Sequence, residues 1–364
     1  MSIRIEPKEY ITDPSIYPGM NLADVLEARG ISQADLARRM DKPVQAVNEI
    51  VMGKKEIIPD TAILLEHVLG LPAGYWLKLE SNYRESLARD KELAELNSQV
   101  ELARAYPYKE METFEWVKPV SSAVDKVKEL LRWLGVANLN LVELQYAAAF
   151  RKSNKHIVSK EKLVAWLRHG ELELQNKELD TFDRDKCSDL MNDIRGLTRL
   201  NIQIAHKQAQ MLCAKNGIAL VFTPEFKSFP VSGATRWISG KPLVQVSLRF
   251  KKDDQLWFSI FHELGHVFKH KKEFFLEKTG RFDEVDSEET EADLFAANAL
   301  IPEDKYLDFI AKRTYIAAPA IRNFSESIGI APGIVVGRLQ REGKIPFSMF
   351  NHLRISLAWK KGDS

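Results

Sequence analysis

The sequence has few cysteines and no long apolar run, and each absence excludes a class of protein. Only two cysteines, Cys187 and Cys213, occur among 364 residues, too few for a disulfide framework or a cysteine-rich zinc site. No apolar run approaches the roughly 18 residues of a membrane-spanning helix, and the first residues contain no signal-peptide stretch. We therefore expect a cytoplasmic protein with no membrane partner.

The chain also lacks an excess of charge of either sign. It contains 52 basic and 51 acidic residues, which give a net charge of +1. This balance excludes a protein that binds nucleic acid along its whole length but permits one local basic face. Hydrophobic residues make up 45% and charged residues 28%, as in an ordinary globular protein. At about 150 residues per domain, the length predicts two or three domains.

The N-terminal residues predict a compact unit of five helices joined by short turns. Gly30 closes a first helix and Ser32 caps a second. A third helix follows Pro43, and two more fit residues 61–70 and 72–88. This unit is predicted to span residues 15–85.

The centre of the chain predicts helices without recognisable chemistry. We expect a helical linker over residues 86–120, with a domain boundary near residues 105–120, where two prolines interrupt the periodicity. A helical region then covers residues 121–194. A last domain, predicted over residues 195–355, begins with more helix before the pattern changes.

Three β-branched, alternating segments between residues 217 and 250 predict three short strands. In the last of them, Val244 and Val246 alternate with Gln245 and Ser247. We therefore expect this strand to bury one face and to leave the other face, and one edge, free.

The strongest chemical signal is His262-Glu263-Leu264-Gly265-His266 within an apolar helical run. On a helix, two histidines four residues apart project from the same face, so both imidazoles can reach one Zn²⁺ at about 2.0–2.1 Å. The intervening Glu263 then lies next to the water that a catalytic zinc carries. A chance pentapeptide on a core helix is the alternative interpretation.

A third zinc ligand is expected downstream, because a catalytic zinc takes three protein ligands and keeps one position open. We prefer Glu289 as this ligand, with Glu291 as its main competitor. Asp293 lies one helical turn after Glu289, where its carboxylate can orient a ligand histidine through the other ring nitrogen.

Three motifs in order, HELGHVFKH, EETEADLFAANALIP and IAPGIVVGRLQREGKIPFSMFNHL, resemble the ImmA/IrrE family of zinc-dependent metallo-endopeptidases over residues 195–355. The resemblance implies that His262, His266 and Glu289 bind the metal and that Glu263 is the general base. It also implies a zincin-like fold in which a small sheet packs on the helix that carries the site.

The expected reaction is peptide hydrolysis by a water that Glu263 activates on the zinc. A substrate segment could lie extended along the free edge of the strand at Leu243–Phe250. His270, Tyr306 and His352 are the candidates for stabilising the oxyanion, and the sequence does not choose among them.

The N-terminal unit has the layout of a helix-turn-helix. Gln45 and Asn48 fall on the polar face of its second helix and can pair with adenine. Pro18-Gly19, Gly53-Lys54, Ile58-Pro59-Asp60-Thr61-Ala62 and a final Trp76–Tyr83 segment resemble the XRE family and, within it, HigA-type antitoxin repressors. The residues predicted to contact double-stranded DNA are Gln33, Arg38, Gln45, Asn48, Lys54 and Lys55.

The charge of this unit argues against strong DNA binding. Residues 1–80 contain nine lysines and arginines against twelve aspartates and glutamates, whereas a high-affinity monomeric binder shows a basic face. Helix-turn-helix folds also serve in homodimerisation and protein docking. Residues 319–345 resemble a second helix-turn-helix, with Arg338 and Arg341 within reach of phosphate, although their apolar pattern favours a packing role.

Together these patterns predict an α+β protein, mostly α-helical, with a five-helix helix-turn-helix domain and a zincin-like metallopeptidase domain containing a small β-sheet. The predicted function is a DNA-binding regulator fused to a zinc-dependent endopeptidase that cleaves a regulatory protein. That substrate is expected to be a neighbour-encoded repressor or a toxin-antitoxin-linked partner. The alternative is a non-proteolytic repressor or antitoxin whose zinc domain is structural or senses metal.

Overall fold

The computed structural model divides the chain into two compact units, an N-terminal unit up to Val100 and a C-terminal unit from Glu101 onward. The predicted boundary at residues 105–120 lies downstream of this division. No helix among the described residues is both long and apolar enough to cross a membrane. The structure describes residues 16–147, 159–270, 273–278 and 287–360.

From residue 16 onward, the N-terminal unit contains five helices, as predicted. Their turns follow the expected chemistry: Gly30 ends the first helix in the left-handed conformation, and the Ser32 hydroxyl accepts from the amide of Asp35 at 3.1 Å. Leu36, Val47 and Trp76 lie in its buried core. The helices are α1 (Pro18–Arg29), α2 (Gln33–Arg39), α3 (Val44–Val51), α4 (Pro59–Leu69) and α5 (Ala73–Ser98).

Among the described residues, seven α-helices precede the sheet of the C-terminal unit. They are α6 (Val100–Arg104), α7 (Tyr108–Thr113), α8 (Ala123–Leu134), α9 (Val142–Gln145), α10 (Lys160–Gln175), α11 (Cys187–Leu197) and α12 (Ile202–Lys215). The last two contribute Leu190, Ile194, Ala205 and Ala209 to the main core of the unit. Helices α8 to α12 fall where the sequence predicts helical spacing, whereas α7 lies within residues 105–120, where two prolines interrupt the pattern.

The sheet contains the three predicted strands and a fourth that the sequence did not suggest. The strands are β1 (Ala219–Phe222), β2 (Val231–Ile238), β3 (Lys241–Val246) and β4 (Phe275–Lys278). Their order is β1-β3-β2-β4, with β1 parallel to β3 and the other pairs antiparallel. The prediction of a free edge at Leu243–Phe250 is wrong, because β3 lies between β1 and β2.

Helices cover both faces of the sheet. On one face, Val244 and Val246 pack into the core formed with α13 (Asp253–Lys269). On the other, Gln245 is fully buried and its amide donates to the Trp166 carbonyl of α10 at 2.6 Å. The expected free face of β3 is therefore wrong, since α10 covers it and Ser247 is buried as well.

In the part of the chain that the structure describes after β4, four α-helices pack around α13: α14 (Ser287–Leu300), α15 (Glu303–Ala311), α16 (Ala318–Ser327) and α17 (Pro332–Arg341). The packing role that the sequence favours for this segment agrees with its contacts. Arg338 donates to the carbonyls of Ala297 and Ile301 at 3.0 and 2.9 Å, and Ile334, Val335 and Leu339 lie in the core.

Candidate metal centre

Both motif histidines lie on the buried face of α13. His262 is 2% exposed and His266 is 0% exposed, because apolar neighbours such as Trp257, Phe261 and Leu264 anchor the helix in the core. The Nε2 atoms of the two histidines are 3.1 Å apart. Two successive turns of one rigid helix thus direct two imidazole nitrogens to a single point.

Glu289 on α14 completes a set of three converging ligand atoms. Its Oε2 lies 3.1 Å from Nε2 of His262, and its Oε1 lies 3.7 Å from Nε2 of His266. Two atoms bound at about 2.0–2.1 Å to a tetrahedral zinc are roughly 3.3 Å apart. The residues His262, His266 and Glu289 form a cluster that could hold a metal ion, and the donor types and separations fit zinc.

The electrostatics of the cluster favour the charge states of a metal site. Burial alone would raise the pKa of Glu289, but the hydrogen bonds from His262 and His266 outweigh it and lower that pKa to about 2. Burial lowers the pKa of His266. A carboxylate beside a neutral imidazole is the pair that a divalent cation binds.

Asp293 lies where the sequence predicts a carboxylate that orients a histidine. Its Oδ1 is 2.9 Å from Nδ1 of His262, the ring nitrogen on the far side from Glu289. The guanidinium of Arg341 forms an ion pair with the other oxygen of Asp293 and lies over the ring of Phe258 at 4.4 Å. Arg341, which the sequence suggested for phosphate contact, is therefore engaged within this domain.

The second ligand histidine has a different neighbour. Nδ1 of His266 lies 2.9 Å from Nδ1 of His270, and Nε2 of His270 lies 3.2 Å from Oε2 of Glu291. The ring of Phe275 on β4 stacks on His266 with centroids 4.1 Å apart. Glu291, the competing candidate ligand, thus contacts His270, while Glu289 contacts both His262 and His266.

Glu263 is completely buried beneath β2, where two residues missed by the sequence analysis surround its carboxylate. The Thr235 hydroxyl lies 2.6 Å from Oε2 of Glu263 and 3.0 Å from its carbonyl oxygen. A Cβ on Gly233 would lie 2.3 Å from Oε1 of Glu263. The strand therefore leaves room for this carboxylate only because residue 233 has no side chain.

Two other oxyanion candidates are engaged outside this cluster. The hydroxyl of Tyr306 donates to Glu342 at 2.8 Å, and the guanidinium of Arg338 lies 3.9 Å above its ring. His352 is exposed and packs edge-on against Phe350. Of the three candidates, His270 is the one whose contacts with the cluster are direct.

In the N-terminal unit, the predicted DNA-contacting residues lie on or beside α2 and α3. Asn48 donates to Gln33 at 3.2 Å and so joins the two helices. Arg38 and Arg39 both pair with Asp35, and the hydrogen bond from Arg38 lowers the pKa of that carboxyl.

The other predicted contacts lie along and beyond α3. The amide of Gln45, whose side chain is exposed, donates to Glu49 at 2.9 Å. Lys54 and Lys55 are exposed in the turn after α3.

Comparison with known proteins defines a metallopeptidase-type domain joined to a DNA-binding domain. The IrrE N-terminal-like domain of peptidase family M78 matches residues 213–340, and a helix-turn-helix family matches residues 22–76. M78 is a metallopeptidase family whose members are usually zinc-dependent. Residues 213–340 thus match an IrrE-like M78 domain within the C-terminal unit, and residues 22–76 match a helix-turn-helix domain within the N-terminal unit.

Two similar proteins each match only a short part of this chain. Virulence-associated protein A of Dichelobacter nodosus is 33% identical over 69 residues, which cover 18% of this chain and 68% of that protein. The structure of an addiction module antidote protein of the HigA family from Coxiella burnetii is 29% identical and covers 23% of this chain and 92% of that one, with a TM-score of 0.22.

Proposed function

We propose that the C-terminal unit is a zinc-dependent endopeptidase. The observation that carries this proposal is the convergence of His262, His266 and Glu289 on one point. Two neutral nitrogens and one carboxylate suit zinc, and the M78 family supplies the peptidase activity as the expected chemistry. Glu263 directly follows His262 in the sequence, and hydrolysis needs such a carboxylate whereas a purely structural site does not.

When bound, zinc would polarise a peptide carbonyl and lower the pKa of a nearby water. In the proposed reaction, Glu263 takes the proton of that attacking water and returns it to the leaving amine. Thr235 holds the carboxylate of Glu263 in place through the contact at 2.6 Å. Asp293 holds His262 in the tautomer that leaves its Nε2 free for the metal.

The proposed ligand set is tested by metal content. We expect His262→Ala and Glu289→Ala to lose stoichiometric zinc, because each removes one of three converging atoms. Glu291→Ala is expected to keep zinc at saturating concentration. Retained stoichiometric zinc in Glu289→Ala, with loss in Glu291→Ala, would exchange the roles of the two glutamates.

We propose that the N-terminal unit binds double-stranded DNA and that the substrate is a regulatory protein encoded next to this chain. Base-reading amides on Gln45 and Asn48, together with exposed Lys54 and Lys55, support the first part. The pairing of a helix-turn-helix domain with an IrrE-like peptidase domain supports the second. A repressor or a toxin-linked protein is the expected substrate class.

The function is tested by incubating the zinc-loaded chain with the neighbour-encoded protein and weighing the products by mass spectrometry. We expect two fragments whose masses sum to that of the substrate plus one water. A chelator should stop the cleavage, and added zinc should restore it. An intact substrate in every arm would contradict the proposal.

A non-proteolytic regulator with a metal-sensing zinc domain is the second candidate. The enclosed position of Glu263, which is 0% exposed, favours it, because a water and a substrate must both reach this carboxylate during hydrolysis. This candidate predicts stoichiometric zinc, an uncut partner protein and DNA binding that changes with zinc.

A further inference from the structure

We propose that His270 and Glu291 form an orienting pair that holds the ligand histidine His266 in its metal-binding tautomer. This inference rests on the proposed zinc site and adds two positioning residues to it. The pair is a chain of two contacts, 2.9 Å from His266 to His270 and 3.2 Å from His270 to Glu291. His270 directly follows the last residue of α13, and Glu291 lies on α14, so the pair connects these two helices.

The direction of each hydrogen bond follows from what each atom can do. When Nε2 of His266 gives its lone pair to a metal, the proton of the neutral ring must sit on Nδ1, which therefore donates. Nδ1 of His270 must then accept, so the proton of its neutral ring sits on Nε2. That Nε2 donates to Glu291, whose carboxylate only accepts. The carboxylate of Glu291 therefore determines which nitrogen donates in each of the two hydrogen bonds.

The surroundings leave these rings little freedom to choose another arrangement. His270 is 7% exposed, and its carbonyl accepts from Arg184 at 3.1 Å. Phe275 stacks on His266 at 4.1 Å and lies 5.3 Å from the ring of His270. A rotation of either ring would break contacts on both sides, so the pair is held by packing as well as by hydrogen bonds.

The two ligand histidines are therefore oriented by different means. His262 meets the carboxylate of Asp293 directly at 2.9 Å, whereas His266 reaches the carboxylate of Glu291 through one more imidazole. The arrangement also gives Glu291 a role other than that of a ligand. Glu289 supplies the third ligand atom, and Glu291 acts on the metal only through His270 and His266.

The test measures zinc affinity by competition with a coloured chelator on the full chain. Losing a group that orients a metal-bound histidine typically costs 10–100-fold in metal affinity. We expect Glu291→Ala and His270→Ala to weaken zinc binding about 10-fold or more. Asp304→Ala, which removes an exposed carboxylate on α15, is the matched control and should leave the affinity within about twofold.

His270→Asn separates positioning from simple loss of packing. The amide oxygen of Asn lies near the position of Nδ1 in histidine and can accept from His266, so zinc affinity should be largely restored relative to His270→Ala. In the His270→Asn background, Glu291→Ala should have no further effect, because the link between residues 270 and 291 is already broken. Cobalt substitution gives a second readout: the visible spectrum of the cobalt-loaded protein should change in His270→Ala but not in His270→Asn.

The outcomes distinguish this inference from the proposed function. Unchanged zinc affinity in both Glu291→Ala and His270→Ala, with zinc lost in Glu289→Ala, would overturn the orienting pair and leave the zinc site standing. An equal effect of Glu291→Ala in the wild-type and His270→Asn backgrounds would also overturn it. Stoichiometric zinc in Glu289→Ala would instead contradict the proposed ligand set. Thermal unfolding of the metal-free variants reports whether each has folded.

Discussion

At the level of single residues, the position of the Glu263 carboxylate depends on the absence of a side chain at residue 233. Gly233 faces the carboxylate of Glu263 so closely that a Cβ there would lie 2.3 Å from Oε1, a separation that forces the carboxylate to move. Thr235, two residues along the same strand, contacts the other oxygen. The position of the proposed general base is thus determined by β2 rather than by its own helix.

Gly233→Ala should therefore lower the peptidase rate far more than it lowers zinc content. The added methyl group displaces Glu263 but leaves His262, His266 and Glu289 in place, and removing an effective general base costs roughly 10²–10⁴-fold in rate. Gly196→Ala on α11 is the control, since nothing lies within 4 Å of its added Cβ. Full activity in Gly233→Ala would contradict this role for the strand.

The sequence predicted the residues that repeat at a four-residue spacing, including Asp293 as the carboxylate that orients a ligand histidine, but it missed Thr235 and the contact between His270 and Glu291. His262, Glu263 and His266 follow from a four-residue repeat, and Glu289 and Asp293 from a second one. No spacing relates Thr235 to Glu263 or His270 to Glu291, because the partners are 28 and 21 residues apart. Such contacts depend on how a strand or a second helix packs against α13.

At the scale of elements, the C-terminal segment secures the start of α13. The amide of Ile355 donates to Asp253 at 2.7 Å, and Arg354 pairs with Asp254 at 2.7 Å. Asp253 is 3% exposed. Burial raises the pKa of its carboxyl from 3.8 to about 6, and the nearby charge of Asp254 adds to the effect.

This raised pKa predicts a stability that falls as the pH rises. The folded state keeps the proton of Asp253 up to about pH 6, whereas the unfolded state releases it near pH 4, so the carboxyl stabilises the fold most at low pH. Between pH 4 and pH 7 the free energy of unfolding of the wild type should drop by about 2 kcal/mol relative to Asp253→Asn. Denaturant unfolding in the presence of a chelator measures this difference.

Asp308, an exposed aspartate in a surface ion pair, provides the control for the pH experiment. Asp308→Asn, which affects only a surface ion pair with Lys312, should follow the wild type at every pH. A constant difference between the wild type and Asp253→Asn across this pH range would contradict the assigned burial effect.

The sheet shows what alternation in a sequence can and cannot predict. Three strands were predicted because β-branched residues alternate over several positions, but β4 has only four residues and too short a pattern. Alternation also suggested that Gln245 faces solvent. It is buried because α10 covers that face and supplies a carbonyl as its partner, a fact of packing that polarity alone does not reveal.

In the molecule as a whole, two units with separate cores have separate proposed functions, DNA binding and metal-dependent hydrolysis. The core of the N-terminal unit contains Leu36, Val47 and Trp76, and the metal cluster lies entirely in the C-terminal unit. The N-terminal segment is slightly acidic, so its proposed DNA contacts depend on a few local cations. Two of the predicted cations, Lys54 and Lys55, are exposed.

Lys54→Gln and Lys55→Gln should each weaken DNA binding and reduce its dependence on salt. Each phosphate contact that is lost lowers the slope of log K against log salt by about one. The control is Lys78→Gln, an exposed lysine on α5, which should leave the slope unchanged. Titrations of a duplex from the region upstream of this chain's own gene, at several salt concentrations, would measure it. Equal slopes for all three variants would contradict the proposed contacts.

The proposed hydrolysis requires Glu263 to activate a water at a zinc bound by His262, His266 and Glu289. The most direct test of this role is the rate at which zinc-loaded wild type and zinc-loaded Glu263→Gln cleave the neighbour-encoded protein. The Gln side chain keeps the size of Glu263 but cannot accept the proton, so zinc should stay bound while cleavage falls by roughly 10²-fold or more. Equal rates of cleavage in the two proteins would contradict this role.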